Sequence, residues 1–530
     1  MIGSQRIFWR RAQRQAPFWL TAAAAAGGSS ALLLLLSGQR LDWEDKDDDC
    51  SAELSPSRYQ SYTATFMTQC EAPAKEETVE ADDYPNFSRH GPNAQLPKFL
   101  TPQLWKQLKD LKTPTHETTL EDMIQSATML PFGANPPRGV AGIYAGDAEC
   151  YKVFAPLLIP IIEEYHGVIL DSDRGLSQRG KSLFSGPQKQ QHQRAPSSSS
   201  GLSGRRMSTK LKRHTTNLNP DQIIDTQLDP EGDYILYTRM RLSRNIEGFA
   251  FCPKIKRADR RRLERLFKTI VREDFQPLHG GAYLSIHAMT NTQHEGYMAR
   301  RLCFFDPDEF KLAAGLGWDW PDGRGIYCTS HWNPQARLSD FNDKTRPAPS
   351  TNVEEWEVRP PNISMWFNYD DHVWITSLNK GGDVQSVFTC LSDAIRQMEL
   401  SLLERGYTFS VDPKLGFLTC SPTNIGTGLR ASMSVKLVRL GRQHPKFFQQ
   451  ILNRLHLEAR SDYAETDQRY TGIFDIANAE RLGRTEVQWI NIMIKGIGKL
   501  IELEKKLERG ETVSLADVDD VVKTVHKETS

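Results

Sequence analysis

Two short segments concentrate residue types able to handle a phosphorylated nucleotide. Thr423-Asn424-Ile425-Gly426-Thr427-Gly428-Leu429-Arg430-Ala431-Ser432 places glycines and an arginine where phosphates could be held. Thr238-Arg239-Met240-Arg241 lies in a strand pattern, so Arg239 and Arg241 project from one face, and each guanidinium can grip phosphate oxygens through paired N–H donors. Phosphoryl transfer asks a protein mainly for positioning and for positive charge that neutralises the transferred group. One such arginine alone would read as a surface salt bridge.

Something must position these segments, and the chain's patterning suggests what. Thr101 reads as an N-cap with Pro102 at the first helical position, ahead of the apolar face of Leu104, Trp105, Leu108 and Leu111. A second helix follows Thr119 and ends near Met129, and apolar residues at helical spacing predict a third over 147–165. Beyond residue 221, strand-like runs at 234–237, 363–367, 372–376 and 431–437 alternate with longer helical patterns across connections of varied length. That favours an α+β fold: a small all-helical amino-terminal domain (97–170) and a larger domain (221–508) of antiparallel sheet flanked by helices. The run 486–507 reads as a core-facing helix, and 509–530 as a tail.

Composition supplies the rest of the organisation. With 530 residues there is chain for two domains plus extensions. Sixty-six basic and sixty-six acidic residues cancel, which disfavours nucleic acid as a partner. The eight cysteines are scattered, with no CxxC pair and no zinc spacing, so no metal site is expected. Residues 1–17 carry Arg6, Arg10, Arg11 and Arg14 without an acidic residue, and the uncharged run 18–38 is about long enough to span a bilayer. Acidic residues follow from Asp42. The expectation is a mitochondrial presequence and transmembrane segment (1–38), with the body facing the intermembrane space; a secretory signal or anchor is the alternative. An acidic tether (39–96), a Ser-rich basic insertion (171–220) and a Pro-rich charged insertion (333–361) are read as unpacked or surface stretches.

Pro422 to Ser432 resembles the signature of the ATP:guanidino phosphotransferases, the phosphagen kinases, which include creatine and arginine kinases. Arg239 and Arg241 match that family's Arg-Val-Arg unit, and Arg430 its glycine-segment arginine. The phrase Gly142-Ile143-Tyr144 is similar to the family's amino-terminal domain, so the resemblance implies that Gly142 and Tyr144 border a guanidino-substrate pocket. Asn368-Tyr369-Asp370-Asp371-His372 resembles a motif in which Asp370 stands where a glutamate holds the guanidinium. Mg-ATP is the implied cosubstrate.

The same resemblance exposes departures. Ser421 stands where a reactive cysteine precedes the proline, Trp374 and Tyr463 replace phosphate-binding arginines, Gln468 replaces a carboxylate, and Leu302 a histidine. Hydrogen bonds to charged groups contribute about 1.5–3 kcal/mol each, so two missing arginines would remove roughly 3–6 kcal/mol. Three readings follow: a catalytically impaired phosphagen-kinase fold serving as a structural or regulatory subunit of a mitochondrial membrane complex, an active divergent phosphotransferase, or an ATP-binding sensor without turnover. Deleting residues 1–38 is expected to release the protein from membranes and abolish mitochondrial delivery; fractionation finding the full chain in the cytosol would refute the localisation.

Overall fold

The computed structural model describes residues 83–90, 94–130, 141–170, 209–211, 213–224, 228–276, 280–299, 302–304, 306–329, 362–461 and 471–522. Residues 1–38, expected to be a presequence and membrane segment, most of the stretch 39–96, the basic run near Arg205, the 333–361 insertion, Tyr463 and Gln468 lie outside them. Among the described residues no helix is long and apolar enough to cross a membrane.

Helices of the first region begin on signals their sequence carries. After α1 (Gln95–Phe99), α2 (Pro102–Leu108) is capped by the Thr101 hydroxyl, which accepts the Leu104 amide. For α3 (Leu120–Met129), Thr119 and Asp122 form a reciprocal capping box that satisfies two otherwise orphaned amides. The helix expected over 147–165 is divided into α4 (Cys150–Val153) and α5 (Ala155–His166), because Pro156 belongs at the start of a helix rather than inside one. Gly167, at φ 63°, ends α5.

Strands β1 (Val168–Leu170) and β2 (Thr209–Leu211) pair in parallel. Within the stretch read as an unpacked insertion, 171–220, the described residues are bonded: beyond β2, the Asn217 amide donates to Glu486, and the His214 amide to the Pro413 carbonyl. Backbone pairing and polar partners, which hydrophobic periodicity cannot report, order this part of the stretch.

The larger domain is built on one antiparallel sheet. In chain order it contains β3 (Ile235–Arg244), α6 (Arg257–Ile270), β4 (Ala282–Ser285), α7 (Asn291–Ala299), α8 (Glu309–Ala313), β5 (Gly325–Cys328), β6 (Asn362–Phe367), β7 (Val373–Lys380) and α9 (Val384–Glu404). There follow the small hairpin β8 (Val411–Asp412) and β9 (Gly416–Phe417), then β10 (Leu429–Lys436), α10 (Pro445–Arg454), β11 (Leu457–Ser461), β12 (Ile473–Asn478) and α11 (Glu486–Glu508). The eight main strands run β11-β12-β10-β3-β7-β6-β5-β4. Between β5 and β6 the chain is clasped at its base: the Thr329 amide donates to the Ile363 carbonyl at 3.0 Å, and the Ile363 amide to the Thr329 hydroxyl at 3.3 Å.

Period-two alternation gives the sheet two unlike faces. Met240, Leu242, Ile375, Met433 and Ile476 face the main apolar core, with buried residues of α6, α9 and α11. The alternate positions form the other face. Over β5–β7 it carries an apolar cluster including Ile326, Trp366, Trp374 and Phe304, and over β3, β10, β11 and β12 it carries arginines and carboxylates.

The helical region is stitched to the sheet domain by directional bonds. Tyr151 Oη donates to Thr419 O (2.8 Å), and Ala145 N to Cys420 O (2.6 Å). His166 is fully enclosed: its Nε2 lies 3.1 Å from Pro422 O, and its Nδ1 accepts the Arg481 amide at 3.3 Å. That pattern requires a neutral ring protonated on Nε2. Burial lowers the His166 pKa to about 4. The unfolded chain therefore takes up the proton first, so this histidine's contribution is complete above about pH 6.5 and is lost as pH falls towards 4. A shift of that size corresponds to at most about 3 kcal/mol. His166→Gln is expected to lower stability at pH 7 and to flatten the acid-side slope of a denaturant-unfolding series between those pH values; an unchanged slope would contradict the neutral latch.

Candidate active site

The sequence-predicted arginines converge. Antiparallel register places Arg241 opposite Arg430 and Arg239 opposite Ser432, so all three share one sheet face. Like charges directly opposite one another destabilise a sheet unless something intervenes. Asp475, on β12, answers Arg430 of that pair and Arg239 beside it: its Oδ2 lies 3.1 Å from Arg239 Nη2 and 2.8 Å from Arg430 Nη1. Glu458, on β11, lies 3.4 Å from both Arg430 Nε and Arg460 Nη2. Burial alone would raise the Asp475 pKa, but Arg430 and Arg239 outweigh it and hold the carboxyl well below the usual range.

Arg241 lacks such a partner among the described residues. Its guanidinium carbon sits 5.4 Å from the Trp374 ring centre and 5.9 Å from that of Trp366, within cation–π range of both. Burial, and then repulsion from Arg239, Arg430 and Arg460, lower its pKa well below that of a free guanidinium. Arg241 Nε, Arg430 Nη2, Trp374 Nε1, Thr376 Oγ1 and Ser434 Oγ are all buried without a hydrogen-bond partner. Register puts their side chains on this same face.

The glycines have a different use from the one expected. Gly426 and Gly428 take φ of 95° and 64°, a region open to glycine. A Cβ on Gly428 would come within 2.7 Å of Ser243 O, and one on Gly426 would strike the Arg481 backbone. They let neighbouring backbones close up, and Arg430 already belongs to a strand. The segment's geometry points to packing, with its arginine on the charged face of the sheet.

Asp370, Tyr144 and the Ser421 segment gather at the border with the helical region. Asp371 organises the segment: its Oδ1 accepts Cys420 N (2.8 Å) and Asn245 Nδ2 (2.7 Å). Burial raises the Asp371 pKa to about 6. Ser421 Oγ lies 2.8 Å from Thr423 Oγ1, so this hydroxyl is engaged within its own loop. Cys420 does not replace the missing thiolate, since burial and then Asp371 and Asp370 push its pKa up. Gly142 turns the chain at φ 75°, and Tyr144 lies within electrostatic reach of Asp370, Cys420 and Lys311.

Lys311, which sequence reasoning passed over, faces Asp370. Its Nζ is 3.1 Å from Asp370 Oδ1, donates to Tyr369 Oη at 2.6 Å, and lies 4.0 Å from the Tyr369 ring centre. Tyr369 stacks on Phe304 with centroids 4.5 Å apart and meets Trp366 at 6.0 Å. Aromatic rings thus join the carboxylate corner to Arg241. Asp475 and Glu458 were missed as well. The available signal was an ionisable residue alternating with apolar ones, Phe474-Asp475-Ile476 and Leu457-Glu458-Ala459.

Comparison with known proteins agrees with this architecture. The N-terminal domain of ATP:guanido phosphotransferases matches residues 92–163, and their C-terminal catalytic domain residues 357–507. The chain is 31% identical to creatine kinase B-type of Gallus gallus over 437 residues, covering 82% of this chain and 93% of that one. It is 30% identical to arginine kinase of Stichopus japonicus over 458 residues, covering 86% and 99%. The crystal structure of lombricine kinase superposes with a TM-score of 0.60 at 26% identity, covering 83% of this chain and 98% of that one. Motifs, sheet and relatives agree over both domains: the chain belongs to the ATP:guanido phosphotransferase family.

Proposed function

We propose that this protein is a working, divergent phosphotransferase that moves a phosphoryl group from Mg-ATP to a guanidino acceptor. One observation carries the reading: a sheet face where four arginines meet two carboxylates and where buried donors lack acceptors. Such a surface is completed by an oxyanion-rich ligand, and a polyphosphate fits its chemistry. Arg239, Arg241 and Arg430 hold the phosphates and neutralise charge as the bond from the γ-phosphorus to the ADP oxygen breaks and the one to the acceptor nitrogen forms. Trp374 supplies an N–H donor where the resemblance expects an arginine, at a smaller electrostatic contribution. The magnesium ion accompanying the phosphates would add further neutralisation. Asp370, with Gly142 and Tyr144 nearby, orients the acceptor.

Creatine, arginine and lombricine kinases are all among the similar proteins, so the likeness supports an acceptor class and not a compound. The impaired-scaffold reading draws on Ser421, Trp374, Leu302, Tyr463 and Gln468; the last two lie outside the described residues. A sensor that binds ATP without turnover is the second reading, favoured by the Lys311–Asp370 pair. From the amino-terminal sequence alone we also propose an inner-mitochondrial-membrane tether with the body in the intermembrane space and a membrane complex as partner, a secretory anchor being the alternative.

Mg-ATP is expected to raise the melting temperature, and assays with creatine, arginine and related guanidines to show phosphoryl transfer. Stabilisation without transfer to any of them would favour the sensor. Arg241→Gln is expected to weaken ATP about tenfold to a hundredfold, the loss of one charged hydrogen bond. Because that charge is opposed by its neighbours, the nucleotide-free variant should melt no lower than the parent. A clear drop in melting temperature with ATP affinity intact would make Arg241 structural.

A further inference from the structure

Asp370 is the carboxylate assigned to the acceptor, yet it already faces a cation from its own chain. Lys311 is delivered there by a short, well-fixed element: Asp308 caps α8 by accepting the Lys311 amide at 2.8 Å. The ammonium is then held on three sides, by Asp370, by the Tyr369 hydroxyl and by the Tyr369 ring. That ring is itself braced by Phe304 at 4.5 Å and Trp320 at 6.5 Å. Side-chain exposures of 22% and 23% leave the pair open enough for exchange with a ligand and too sheltered for water to screen it fully. Burial favours loss of the lysine proton, but Asp370 and Tyr369 outweigh it, so the side chain remains charged.

We propose that Lys311 is the specificity-determining residue of the acceptor site: its ammonium occupies the place at Asp370 that a guanidinium would take, and an acceptor must displace it. The inference rests on the reading of Asp370 as the acceptor's carboxylate. Displacement strips the ammonium of its counter-ion, so an acceptor fares best when it brings an anionic group of its own to receive Lys311. A simple guanidinium cation has none and meets repulsion. The site therefore selects zwitterionic guanidino acids against plain guanidines, and binds both more weakly than the carboxylate alone would.

Binding to the full chain tests this, with methylguanidine as the plain cation and 3-guanidinopropionate as the acid-bearing probe, measured by calorimetry. Lys311→Met is expected to bind methylguanidine about tenfold or more tightly than the parent, and to lose most of the parent's preference for 3-guanidinopropionate, tenfold being 1.4 kcal/mol. Equal methylguanidine affinities in the two proteins, or no guanidine binding by either, would overturn the proposal. A second measurement avoids the substitution. In the unmutated protein, lysine acylation followed by mass spectrometry should find Lys311 slow beside exposed Lys256, and accelerated at saturating methylguanidine, which takes Asp370 and brings no anion to receive the ammonium. Lys311 labelling that stays slow at saturating methylguanidine would equally overturn it. Mg-ATP stabilisation read on the same samples keeps the two questions apart: its absence counts against phosphotransfer, not against the lysine's role.

Discussion

The carboxylate of Asp475 is the constraint on which the charged half of the sheet depends. Three strands each bring an ionisable group to one face, and without an anion between them Arg239 and Arg430 would oppose the pairing of β3 with β10. Asp475 accepts both from the adjacent strand, and Glu458 extends the arrangement to Arg430 and Arg460 on the next. Breaking a buried pair of this kind typically costs about 3–5 kcal/mol, because the surviving charges remain desolvated. Among the described residues, two carboxylates face four arginines, so this face keeps a surplus of positive charge.

The other half of the same face obeys a different rule. Trp366, Trp374, Phe304 and Tyr369 exclude water beside the arginines, which lowers the local dielectric and strengthens any charge interaction made there. Trp374 therefore does two things that an arginine would do differently. It removes one formal charge from this face of the sheet, and it supports the guanidinium of Arg241 through its ring. Loss of charge and gain of apolar shelter act in opposite directions on the strength with which such a face attracts an anion. Counting departures from a motif overstates the loss when a replacement changes the medium around the residues that remain.

Much of this was legible in the sequence. The fold class followed from strand alternation and varied connections, the caps at Thr101 and Thr119 from local chemistry, and the shared face of Arg239 and Arg241 from period two. The family came from motif spacing. Partnership was not legible. That Asp475 sits between Arg239 and Arg430 depends on strand order, and that Lys311 reaches Asp370 depends on the path of a loop. Gly426 and Gly428 were legible as glycines beside an arginine, whereas their positive φ and the protein backbone packed against them were not. The described residues 209–211 and 213–220 escaped notice because backbone pairing and the Glu486 carboxylate engage them, with little apolar patterning.

The clasp between Thr329 and Ile363 gives the β5–β6 connection an unusual freedom to vary. Its two ends are bonded to each other where β5 and β6 meet, so a change in the length of the connection enters the stability of the sheet through the entropy of closing it. That entropy grows with the logarithm of length, at about 0.6 kcal/mol per doubling. A connection lengthened severalfold at this point thus taxes the domain by no more than a few hydrogen bonds' worth of stability. Sequence can accumulate, shrink or be exchanged there while the strands carrying Trp366 and Trp374 keep their register, making this position a natural graft point for new binding sequence on an otherwise fixed framework.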